Sequence, residues 1–131
     1  PTLSVVCPTR HPGPLVARCL EPLRVLADEI IIGADDRVGA DDLAWYATVA
    51  TELVRFEYEG ENRHWPWLAT RAHGDWLLLV DGDETPSQAL LDVLPVQLAR
   101  REVRELSVPV HWLFGGPDRG RESQASQRYD A

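Results

Sequence analysis

Asp81 and Asp83 stand on either side of a single glycine, directly after the aliphatic run at residues 77–80. Two carboxylates two residues apart on a turn offer hard oxygen donors to one Mg2+ or Mn2+. These ions favour octahedral oxygen sites, keep some of their waters and bind diphosphates well. Without a cation, the same groups repel one another and titrate as a coupled pair. Gly82 between them lets the backbone turn tightly and lets a ligand come close. A plainer reading is an acidic turn whose Asp81 caps the next helix while the other acids face water. The buried strand before the turn, and polar residues ending two other strands, favour the binding reading.

Those strands follow from the pattern of apolar residues. TLSVVCPT (2–9) is a β-rich run stopped by Pro8. Leu15, Val16, Cys19, Leu20, Leu23 and Leu26 then form one helical stripe, with Pro14 near its start and a break expected at Pro22. DEIIIGA (28–34) is a continuous apolar strand of the kind buried on both faces. DDLAWYATVA (41–50) opens with aspartates suited to capping and continues as a helix. ELVRFEY (52–58) alternates as a third strand, HWPWLATRAHG is helical up to Gly74, and DWLLLV is the fourth strand. SQALLDVLPVQLARR is a helix capped by Ser87. RELSVPVHWLF (104–114) is a closing strand in which Pro109 marks an edge or a bulge. From Gly115 the chain is rich in Gly, Pro, Arg, Ser and Gln and is expected to be a loop.

Strands alternating with helices predict parallel βαβ units in a three-layer α/β/α sandwich. Ligands of such sheets sit beyond the carboxyl ends of the strands. Three of those ends carry polar residues able to meet: Pro8-Thr9-Arg10, Asp35-Asp36 and Asp81-Gly82-Asp83.

Bulk composition narrows the chemistry further. The 131 residues suit one core and are 44% hydrophobic and 26% charged, with a net charge of −8. That charge argues against a nucleic-acid partner, which requires a cationic surface. All 13 basic residues are arginine, so phosphate-loop NTPase and Schiff-base mechanisms that need lysine are excluded. No apolar run is long enough for a membrane span. Cys7 and Cys19 fall in no metal or redox spacing and read as buried thiols in a reducing compartment, the cytoplasm. The absence of methionine points to part of a longer chain or a trimmed one.

LSVVCPTR, DEIIIGADD and AHGDWLLLVDGDE resemble, in order and spacing, the nucleotide-binding half of family 2 glycosyltransferases with the GT-A fold. The likeness covers roughly residues 2–112 and is strongest from Ala72 to Glu84. It implies an enzyme that takes a sugar from a nucleoside diphosphate donor with Mg2+ or Mn2+ and passes it to an acceptor of unknown kind, whether sugar, lipid or protein. It places Asp81 near the ribose and metal, Asp83 on the metal, and either Asp35 or Asp36 at the base. Pro8 and Thr9 fall at the opening nucleotide contact. The family's Arg-Asn before this helix is replaced by Trp65-Pro66, which leaves Arg63 and Arg71 as candidates for the diphosphate. Residues 1–114 would form the nucleotide-sugar-binding domain, and 115–131 a loop or tail leading toward an acceptor half. Asp130 is the late acidic residue considered as catalytic base.

Two rivals use the same residues. LLLVDGDET also fits the haloacid dehalogenase pattern, with Asp81 as a phosphorylated nucleophile and Asp83 as general acid/base. That motif normally ends the first strand and needs further downstream residues that are missing here. A transferase-like domain that binds nucleotide without turnover is the other. Trp65 and Trp76 read as core, and Trp112 is left open between core and cleft. Of the four histidines, only His111 is expected near the cleft. Arg100, Arg101 and Arg104 read as a solvated face at a helix end.

Overall fold

Apolar residues on both sides of a strand require cover on both sides, and β1 (Leu3–Pro8) and β2 (Glu29–Asp35) receive it. The computed structural model describes residues 2–59, 65–100, 102, 105–112 and 121–130, with the description of Trp65, 105–112 and 121–130 confined to the backbone. Four parallel strands run in the order β3-β2-β1-β4, where β3 is Glu52–Phe56 and β4 is Trp76–Leu79. Leu3, Val5, Cys7, Ile30, Ile32, Ala34, Trp76 and Leu78 face one side. There they meet α1 (Gly13–Leu20), the 3-10 turn Glu21–Val25 and α2 (Ala40–Val49) through Val16, Cys19, Leu20, Leu23, Tyr46 and Val49. Leu91 and Leu98 of α4 (Gln88–Leu98) pack against the same cluster. Val6, Ile31 and Val54 face the other side, against Leu68 of α3 (Trp65–Ala69). The result is the expected α/β sandwich. Each fully buried aliphatic side chain contributes about 1.5–3 kcal/mol and a typical hydrogen bond nearer 1, so apolar burial holds the layers and polar contacts set the register.

Several of those polar contacts lie at the amino ends of the strands. Asp28 accepts the Leu3 N–H at 2.7 Å, Ser4 donates to Glu29 at 2.7 Å, and Gly74 N–H donates to Ser4 Oγ at 2.7 Å. Asp75 accepts from Thr2 N–H and Thr2 from Asp75 N–H, each at 2.9 Å. A side chain on Gly74 would come closer than 3.0 Å to Ser4, so the Gly74–Ser4 contact depends on glycine.

Local chemistry accounts for the departures from expectation. α1 stops at Leu20, and the chain tightens into the 3-10 turn that contains Pro22. α2 is capped by Gly39, and Asp41 and Asp42 occupy its first turn. Asp42 Oδ1 instead accepts the Gly13 N–H of α1 at 2.8 Å, so this aspartate caps the neighbouring helix. α3 ends at Ala69, short of Gly74. Ser87 caps α4 as expected, accepting the Leu90 N–H at 3.1 Å. Within the stretch from Gly115 expected to be a loop, Arg121–Asp130 form a strand, β6, antiparallel to β5 (Glu105–Trp112). The β5–β6 register shifts between Pro109 and His111, which is the irregularity Pro109 implied.

Candidate functional site

At the carboxyl ends of β1 and β4, parallel neighbours, two loops come together. The Val80 N–H donates to the Val6 carbonyl at 3.0 Å, extending the ladder beyond β4 to the threshold of Asp81. The Thr9 N–H donates to the Gly33 carbonyl at 2.9 Å, which does the same for β1 against β2. A side chain at Gly82 would come closer than 3.0 Å to Thr9 Oγ1 and Val16 Cγ2. Thr9 therefore takes up the space that Gly82 leaves, and the glycine serves the packing of one loop on the other.

Asp81 and Asp83 project from this packed turn with side chains 54% and 45% exposed. Ser87, not Asp81, caps α4, so the helix-cap explanation for Asp81 fails. The turn is closed by the Asp81 N–H donating to Glu84 Oε1 at 2.7 Å and the Glu84 N–H donating to the Asp81 carbonyl at 3.1 Å. Beneath it, the Cys19 thiol lies 3.5 Å from the Asp81 carbonyl. Burial, and then the charges of Glu84 and Asp81, push that thiol up to about 12, so it remains a protonated donor. Cys7 is pushed well up by burial as well.

His11 completes the arrangement. Its Nε2 is 3.0 Å from Asp81 Oδ1 and 3.8 Å from Asp83 Oδ1. One ligand atom from each of the three residues lies within 4.8 Å of the others, and this is the group among the described residues whose donors converge in this way. The backbone of His11 is fixed at both ends. Its N–H donates to Thr9 Oγ1 at 3.1 Å, and its carbonyl accepts from the buried Tyr46 hydroxyl at 2.5 Å. Burial raises the Tyr46 hydroxyl to about 12 and keeps it a donor. Sequence reading set His11 aside as one of several scattered histidines. The signal available was its place two residues past Thr9, in the turn that ends the first strand.

Asp35, 6% exposed at the end of β2, is fully engaged by Arg37. Arg37 Nε and backbone N–H donate to Oδ1 at 3.0 and 2.9 Å, and its Nη2 donates to Oδ2 at 2.8 Å. These Arg37 hydrogen bonds outweigh burial and hold the carboxyl below the usual aspartate range, with the charge of Arg10 adding to the effect. The Arg37 guanidinium in turn lies 3.4 Å over the Tyr58 ring. Asp36 is exposed and accepts the Tyr58 N–H at 3.1 Å. Arg10, exposed at the end of β1, has no hydrogen bond or ion pair among the described residues.

The structure therefore gathers Pro8, Thr9, Asp35, Asp36, Asp81 and Asp83 along the carboxyl ends of three strands. It does not bring Arg71 there. Arg71 pairs with Glu52, the first residue of β3, and faces the Trp67 ring at 5.7 Å. The cause is topological: Arg71 precedes the amino end of β4 and pairs with the first residue of β3, so in this parallel sheet it lies at the border opposite the acidic turn. Arg63 and His64 lie outside the described residues, as do Arg101 and Arg104 and the side chains of Asp130, His111, Trp65 and Trp112. The backbone of Asp130 pairs with Glu105 across β5–β6. Trp76 is core, as expected, with its indole donating to the Leu98 carbonyl at 3.0 Å.

No family model matches the sequence, and no curated protein matches it significantly. Solved structures do resemble it. A mannosyltransferase from Pyrobaculum calidifontis, in complex with GDP-Man and Mn2+, aligns over 80% of this chain at 22% identity and a TM-score of 0.62. Glucosyl-3-phosphoglycerate synthase from Mycobacterium tuberculosis aligns over 79% at 19% identity and a TM-score of 0.57. That enzyme has also been solved with Mn2+, UDP and phosphoglyceric acid. The aligned chain spans 34% of the first structure and 43% of the second. At these identities, what is shared is the fold: this chain has an α/β sandwich of the GT-A type.

Proposed function

We propose that the chain is the donor half of a metal-dependent glycosyltransferase, which moves a sugar from a nucleoside diphosphate to an acceptor not yet identified. The observation that carries this reading is the convergence of Asp81, Asp83 and His11 at the carboxyl edge of a GT-A sheet. The donor set suits Mg2+ or Mn2+: two carboxylates on a rigid turn, exposed enough to leave positions for water and phosphate oxygens.

A divalent ion held there would offset the negative charge that grows on the diphosphate as the sugar leaves. The chain's own residues supply the positioning. The Gly82–Thr9 packing holds the acidic turn against the opening turn before any ligand arrives. Arg10 offers an exposed guanidinium at the same edge for a phosphate oxygen. Asp36 is the better base contact of the acidic pair, because both oxygens of Asp35 are already taken by Arg37. The Arg37–Tyr58 stack beside them offers a flat surface for a base. The group that deprotonates the acceptor belongs to the acceptor side, where Asp130 is the residue this chain offers.

The phosphatase reading finds no support: the neighbours quoted are glycosyltransferases, and the acidic motif ends the fourth strand rather than the first. Thermal shift with UDP and GDP, with and without Mn2+, tests the proposal. Stabilisation that requires nucleotide and metal together supports it, and stabilisation by neither sinks it. Binding without transfer in the intact protein would leave a nucleotide-binding domain that does not turn over.

A further inference from the structure

The third donor at the acidic turn is a nitrogen, and this sets the cluster apart from a pair of carboxylates. His11 Nε2 stands 3.0 Å from Asp81 Oδ1 and 3.8 Å from Asp83 Oδ1. In an octahedral shell with metal–ligand bonds of about 2.1 Å, neighbouring ligands are roughly 3.0 Å apart and opposite ones roughly 4.2 Å. Both His11 separations fall within that span, and the three donor atoms lie within 4.8 Å of one another. The backbone of His11 is held through the Thr9 and Tyr46 contacts, so the base from which the imidazole reaches the acidic turn is fixed. The side chain is 38% exposed and faces the same opening as both carboxylates.

We propose that His11 Nε2 is the third protein ligand of the divalent cation, making the site a mixed nitrogen–oxygen centre that selects Mn2+ over Mg2+. The inference rests on the reading of Asp81 and Asp83 as the carboxylates that hold this ion. In the structure Nε2 and Asp81 Oδ1 lie 3.0 Å apart, and both face the position the cation would take. An imidazole donor favours Mn2+ and the later transition ions over Mg2+, which prefers oxygen throughout. The opening turn thus contributes to the metal directly, beside the two carboxylates of the acidic turn.

Pulsed electron paramagnetic resonance of Mn2+ bound to the intact protein reads the ligand itself. The expected result is a 14N coupling of imidazole type that changes to 15N when histidine is isotopically labelled in the unmutated protein. The coupling should vanish in His11→Asn, with Mn2+ affinity lower by about tenfold or more and Mg2+ affinity moving much less. Bound Mn2+ without nitrogen coupling, or coupling that survives His11→Asn, overturns the role of His11 while leaving the carboxylate site standing. If parent and Asp83→Ala alike fail to bind Mn2+, the underlying reading falls as well.

Discussion

His11 and Asp81 are 70 residues apart in sequence and 3.0 Å apart in space, joined because β1 and β4 are parallel neighbours whose carboxyl ends open onto the same edge. Most of the site's behaviour follows from how rigidly those two ends are held together.

Replacing Asp83 with alanine should abolish the metal dependence of nucleotide binding and leave the fold intact. The side chain is about half exposed and faces the partly exposed His11, so surface-like stability changes within about 0.5 kcal/mol are expected. Calorimetric titration of UDP and GDP with Mn2+, beside a thermal melt, separates the two effects. Metal-dependent binding equal to that of the parent would remove Asp83 from the site.

Arg10→Ala should weaken nucleoside diphosphate binding by about tenfold and nucleoside binding hardly at all, because the guanidinium is offered to phosphate. Arg71→Ala should change neither, since its charge is spent on Glu52 at β3. An exposed pair of this kind costs at most about 1 kcal/mol to remove. Parallel titrations with UDP and uridine distinguish the two arginines.

Gly82→Ala forces a methyl group onto Thr9 and Val16. The expected cost is about 1–3 kcal/mol, read as a lower urea midpoint. Thr9→Ala on the same background should restore part of it, and the non-additivity in a double-mutant cycle measures how tightly the loops are coupled.

Tyr46→Phe removes the hydroxyl that holds the His11 carbonyl. A loss of about 1 kcal/mol is expected, together with weaker Mn2+ binding as the histidine loop loosens. Unchanged metal affinity would show that the loop is fixed by Thr9 alone.

Acid should unfold the protein through Asp35 and Glu29. The Arg37 hydrogen bonds hold the Asp35 carboxyl below its ordinary value. Burial pushes Glu29 up, but hydrogen bonds from His73 and Ser4 outweigh it and leave it lowered too. A carboxyl depressed in the folded state stabilises fully above its unfolded value, about 3.9 for aspartate and 4.3 for glutamate. That contribution disappears as pH falls through the depressed values. Stability should therefore be level near neutrality and fall below about pH 4. Asp35→Asn should lower stability at neutral pH and flatten part of the acid limb in urea melts taken across the range.

β3 was legible by its alternation, and β1, β2 and β4 as apolar runs too short for a helix and bounded by Pro, Gly or charge. Pro8, Asp35 and Asp81 end them within a residue or two of where the structure does. Strand order was not legible. Nothing in the spacing of His11 and Asp81 says that β1 lies beside β4, and a lone histidine carries no pattern of its own. Arg71 misled for the same reason: its guanidinium is near the motif in sequence, yet it belongs to the entry side of β4. β6 escaped notice because its pairing with β5 is a backbone matter, and Arg121–Asp130 has too few apolar residues to alternate visibly.

The hydrogen-bonded clasps among Thr2, Ser4, Asp28, Glu29, Gly74 and Asp75 sit at the opposite margin from the acidic turn. Under the proposed function, robustness and recognition fall on separate borders of one sheet. A protein engineer could reinforce the first border with new staples without disturbing the second, and could re-tailor ligand preference along the second while drawing on the reserve secured by the first.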